Sequence, residues 1–136
     1  MDWKECKDNE LVKSAKIDEN LINSLIKSSK NKMASANSMK LNEITASSKI
    51  ILLYDSLREI LEALALKNGF KVYNHECYCS FLREICNEEK FSREFNEFRK
   101  LKNRINYYAE DVSTKDALVL IEDIINLRKE VFNKYF

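Results

Sequence analysis

Arg99, Lys102, Asn103, Asn106 and Tyr107 fall within one short stretch, Phe98-Arg-Lys-Leu-Lys-Asn-Arg-Ile-Asn-Tyr-Tyr-Ala109. Steps of three and four place them along one side of a helix. Two cations, two carboxamides and a phenol on one helix edge are groups that hold a phosphate, a nucleotide or an RNA strand. The same set also makes an ordinary solvated edge with contact residues, and residue type alone does not separate the two. A second group with chemical potential is Cys77, Cys79 and Cys86 with His75. Tetrahedral metal ligation needs convergent donors. On one helix, Cys77 and Cys79 point roughly 200° apart, and Cys79 and Cys86 stand about 10.5 Å apart along the axis. One ion cannot collect them, so no metal and no cofactor are expected. With Cys6, these cysteines are expected to be reduced thiols, and His75 to be structural.

The elements that must position these residues are helices. The chain has no proline and one glycine, with 33% charged residues. Strand-rich domains need turn residues at short intervals, and almost none are present. A first helix is expected around Asn9 to Lys16, within a loosely attached N-terminal segment, residues 1–17. A second is expected from Asp18, as its N-cap, to Lys40. Its part from Ser28 to Met39 carries only small or flexible apolar residues, which suits close helix packing. Asn42 is read as the cap of the strongest helix, running to Asn68 with Ile50, Leu53, Tyr54, Leu57, Ile60, Leu61 and Leu64 on one apolar face. Asp55, Arg58, Glu59 and Glu62 make the opposite stripe, where helical charge pairing and a binding role are both open.

Gly69 stands where a left-handed residue ends that helix. Asn74 is read as the cap of a fourth helix to Cys86, and Ser92 as the cap of a fifth. On the fifth, Phe91, Phe95, Phe98, Leu101, Ile105 and Tyr108 share a face. Ser113, with Asp116 three residues on, opens the last helix. The expected core is led by Leu53, Leu57, Leu61, Phe95, Phe98, Ile105 and Ile121. Five or six amphipathic helices with short loops predict an all-α antiparallel bundle in one domain, residues 1–136.

The chain's 136 residues are enough to bury a core without staples. Its 23 basic and 22 acidic side chains leave a net charge of +1. Contact with nucleic acid would therefore need a local basic patch. No apolar run approaches the ~20 residues of a spanning helix. The N-terminus lacks the pattern of a signal peptide, so a cytoplasmic location without membrane attachment is expected.

From Asp18 to Phe136 the order of these features resembles the HEPN superfamily, the nucleotide-binding domains of higher eukaryotes and prokaryotes. The resemblance rests on Tyr54-Asp-Ser-Leu-Arg58-Glu59, on Asn68-Gly-Phe-Lys71 with His75 after it, on Lys102-Asn103, and on Tyr107-Tyr108. It implies a homodimeric helical bundle that binds RNA or a nucleotide, in some members beside a minimal nucleotidyltransferase, in toxin–antitoxin or defence systems. It also implies a site at Arg99, Lys102, Asn103, Asn106 and Tyr107, with Tyr54, Arg58 and Glu59 close by. Many members are metal-independent ribonucleases, with an arginine and then a histidine a few residues on. Here those positions are Lys102 and Tyr107. Proton transfer near neutral pH is a histidine's work, and a phenol with a pKa of about 10 replaces it poorly. A non-catalytic binding or partner module is the expected function. The alternative is a ribonuclease with an altered site.

Overall fold

The helix Ala46–Lys67, α3, is the axis of the molecule. A computed structural model describes residues 1–136, and in it α2 (Glu19–Ser38), α5 (Glu89–Tyr108) and α6 (Thr114–Tyr135) all pack against α3. A helix covered on several sides must be apolar or small on several sides. Accordingly Ile50, Leu53, Leu57, Leu61 and Leu64 are buried on the face read from the sequence, and Ser56, Ala63 and Leu66 are buried beyond it. The charged stripe is therefore narrower than expected. Glu59 is buried and pairs with Lys32 of α2 at 2.6 Å.

The fold is an all-α bundle of six helices with one small two-stranded sheet. Before α2 come α1 (Trp3–Asp8) and β1 (Val12–Ser14). Between α3 and α5 come β2 (Phe70–Val72) and α4 (Glu76–Ser80), which continues as one wider π-helical turn, Phe81–Ile85. β1 and β2 run antiparallel, Val12 opposite Val72. The helix expected at Asn9–Lys16 is thus replaced by a strand, and the first helix lies earlier. Asp2 and Glu5 close a reciprocal capping box there, which starts the helix at Trp3.

Residues 1–17 are tied down rather than loose. Trp3 and Cys6 are buried, and the Trp3 ring packs edge-on against Phe70 at 5.1 Å. A disulfide joins Cys6 to Cys77, Cα to Cα 6.0 Å. This corrects the expectation of four reduced thiols, because the pairing of β1 with β2 holds α1 against α4 and brings the two cysteines together. Cys79 and Cys86 are free.

Most caps fall where their residue types place them. Asp18 accepts from the Leu21 amide at 3.1 Å, and Ser113 accepts from the Asp116 amide at 3.1 Å. Asn42 Oδ1 accepts from the Thr45 amide while Thr45 Oγ1 accepts from the Asn42 amide, one turn ahead of α3. Gly69 ends α3 at φ +85°. Ser92 is the exception: it lies inside α5, buried, and its hydroxyl donates to the Cys79 carbonyl at 2.8 Å.

The core contains Leu53, Leu57, Leu61, Phe95 and Phe98 as expected, whereas Ile105 and Ile121 pack only at its edge. Tyr108, assigned to the apolar face, is exposed. It is the last residue of α5, and the left-handed Ala109 turns the chain away before anything covers it. Small residues bring α2 close to α3, as their pattern suggested. Ser29 and Ser56 are fully buried, each hydroxyl donating to the other's backbone carbonyl at 2.6 and 2.7 Å.

Candidate functional site

Three segments converge on one side of the bundle: the middle of α3, the turn from β2 into α4, and the C-terminal half of α5. The turn is set by the pairing of β1 with β2. The Tyr73 amide donates to the Leu11 carbonyl at 2.8 Å, continuing the β1–β2 ladder by one step. Asn74 Oδ1 then accepts from the Glu76 amide at 2.8 Å, which starts α4 and fixes His75 in place. The cap read at Asn74 is thus in use, with helix counted from one residue later.

Tyr73, Asn74, His75 and Glu76 form one wall of a cleft, and Arg99, Lys102, Asn103 and Tyr107 of α5 form the other. Four of the five principal site residues expected from the sequence therefore stand together. Asn106 is exposed outside the cleft. Among the neighbouring residues of α3, Tyr54 lies beneath the cleft, and Arg58 reaches His75 through its field. Glu59 faces α2 and takes no part. Arg104, the other basic residue of the motif, points away and pairs with Glu110 at 2.8 Å.

The cations of the cleft are held by neutral groups. Lys102 Nζ sits over the Tyr54 ring at 5.7 Å and the Tyr107 ring at 5.9 Å and has no carboxylate partner. Arg99 is fixed by Asn96, whose Oδ1 accepts from its Nε at 3.2 Å and its Nη2 at 2.9 Å. Arg99 forms no ion pair with any carboxylate. The one carboxylate on the walls, Glu76, is engaged by the N-terminal amine of Met1 at 3.4 Å. Arg58 is balanced by Glu62 at 2.8 Å and by Asp55 at 4.0 Å, and Lys71 also pairs with Glu62. The pairing expected along α3 thus exists for Asp55, Arg58 and Glu62.

His75 is the chain's only histidine. Partial burial, then the positive fields of Arg58 and Lys102, pull its pKa down to about 4. It is neutral at pH 7. Tyr54 OH lies 3.0 Å from His75 Nδ1. Burial pushes the Tyr54 phenol well above its ordinary range, so it keeps its proton. With the phenol as donor to Nδ1, the imidazole proton resides on Nε2, which has no protein acceptor. The sequence allows His75 to face the cleft but favours a structural role for it. Its place after Asn68-Gly-Phe-Lys71 and after a helix cap is visible in the sequence, but neither reports its nearness to α5.

The chain matches no protein-family profile, no curated protein and no solved structure. No helix is long and apolar enough to cross a membrane.

Proposed function

We propose that the protein is a HEPN-like binding module that takes a phosphate-bearing ligand, RNA or a nucleotide, in this cleft without cleaving it. The observation that carries the reading is the pair of uncompensated cations, Arg99 and Lys102, beside a neutral imidazole N–H. Charge-assisted donors aimed into one opening are what a phosphate oxygen requires. The cleft holds about 320 Å³, at the small end for a ligand site. It suits a phosphate and its sugar, with a base laid against the exposed rings of Tyr73 or Tyr107. The uncovered tyrosines at the end of α5 suit a two-fold contact between copies. A partner nucleotidyltransferase, in a toxin–antitoxin or defence setting, belongs to the same reading.

The test is fluorescence anisotropy with a labelled single-stranded RNA and with AMP as competitor. Binding should weaken as salt rises and be lost in Arg99→Ala with Lys102→Ala, while circular dichroism stays unchanged. Binding that ignores both cations would refute the proposal.

A second reading, a metal-independent ribonuclease with an altered site, is favoured by His75, which brings an imidazole from α4 to the phosphate-binding edge of α5. Two features weigh against it. With a pKa of about 4, only about one imidazole in a thousand is protonated at pH 7, so it is a poor general acid. To act as a base at Nε2, it must also exchange tautomers against the Tyr54 donor. RNA cleavage in chelator that disappears in His75→Ala would establish this second reading over the first.

A further inference from the structure

The opposite side of α5 has a different character. Between α5 and α6 runs a groove of about 460 Å³, floored by Phe98, Leu120 and Leu127. Leu120 carries it into a second depression with Leu101, Val112 and Val119. Val119 is 58% exposed, although it sits mid-turn on a well-formed helix. The rim is acidic. Glu94, Glu97, Asp123 and Glu130 border the first part, and Glu110, Asp111 and Asp116 the second.

Only Lys90 and Arg104 among the lining residues oppose them. Lys90 is divided between Glu94 at 3.7 Å and Glu130 at 3.9 Å, and Arg104 is taken by Glu110 at 2.8 Å. Asp111, Asp116 and Asp123 form no ion pair. In a chain of net charge +1, this face is a concentrated negative field.

We propose that the α5–α6 groove docks an amphipathic basic helix of a partner protein. A groove between two helices with an apolar floor accepts the apolar ridge of a third. The carboxylates flanking it require lysine or arginine on the shoulders of that ridge. The same charge repels nucleic acid and anionic lipid, so neither is the occupant. A second copy of the chain is a poor match through its lysine-bearing α2. There the exposed Lys27 and Lys30 stand among exposed Asn23, Ser24, Asn31 and Ser35 and flank no apolar ridge. This surface is independent of the cleft and does not rest on its reading.

The probe is a labelled leucine–lysine amphipathic peptide of about five turns, roughly 18 residues. Two controls accompany it: the same peptide with glutamate for lysine, and a scrambled sequence of identical composition. The leucine–lysine helix should bind and shift amide resonances along Glu94–Leu101 and Asp116–Leu127. Glu97→Lys with Asp123→Lys, both exposed positions, should weaken binding by about tenfold or more. Arg99→Ala with Lys102→Ala, on the other side of α5, should leave it unchanged. The proposal is overturned if the scrambled peptide binds equally, if shifts fall elsewhere, or if the charge reversal has no effect. It is also overturned if sedimentation shows the groove filled by a second copy, with self-association lost on that reversal.

Discussion

His75 offers the most direct readout, because one histidine gives one imidazole signal. Its pKa is lowered from 6.5 to about 4 in the folded chain. The sign of the linkage follows. The unfolded chain takes up the proton first, so the stabilisation is complete above pH 6.5 and is lost as the pH falls toward 4. Glu62, held low by Lys71 and Arg58 against the effect of burial, contributes loss only at lower pH. An NMR titration should therefore give a midpoint near 4, raised in Lys102→Ala, and the fall in stability between pH 6.5 and 5 should flatten in His75→Asn. A wild-type midpoint near 6.5 would mean that the ring is solvated and the cleft is not built as described. The α5 side of this site was legible in the sequence because Arg99, Lys102, Asn103 and Tyr107 share one helix, whose period is fixed. The His75 side was not, since its nearness comes from the path of the chain between helices.

Among the elements, α2 is weak by composition and depends on its neighbour. It has no basic residue in its last turn, where cations stabilise exposed carbonyls. Lys49 of α3 supplies the charge instead. It is buried, and its ammonium donates to the Ala36 and Met39 carbonyls at 2.7 Å each. Lys49→Met keeps the stem but removes both charge-assisted bonds, and should cost about 1.5–3 kcal/mol in urea unfolding. The midpoint should fall with the slope unchanged. A loss under about 0.5 kcal/mol would place Lys49 among ordinary surface lysines. Nothing in the sequence marks Lys49 as a cap, since it acts 13 and 10 residues away from its partners. The β1–β2 pair is hidden in the sequence for a related reason. Strands of three residues are too short for alternation to register. The long helices, by contrast, each carry several turns of apolar repeat, and α2 and α6 also carry the polar cap that fixes where they start.

For the molecule as a whole, the covalent link between α1 and α4 matters as much as the packing. The bond spans 71 positions of sequence. Loop-closure entropy assigns such a link about 4 kcal/mol, through the unfolded state it restricts. Cys6→Ser with Cys77→Ser, or a strong reductant, should lower Tm markedly, and the reductant should then have no further effect on the variant. An unchanged Tm would mean that Trp3, its ring neighbours and the Met1–Glu76 contact anchor the N-terminus unaided. The cysteine reading went astray because pairing is decided by three-dimensional proximity, which residue counts do not contain.

That bond also decides what the protein becomes when it loses its fold. With Cys6 and Cys77 joined, the denatured chain is not a linear coil but a tadpole. Its ring is made of β1, α2, α3 and β2, and its tail of α5 and α6. A ring occupies less space than an open chain of equal length, so the oxidised unfolded ensemble is more compact and exposes less new surface than the reduced one. Denaturant sensitivity scales with that surface. The oxidised and reduced proteins therefore differ in the steepness of unfolding as well as in its midpoint.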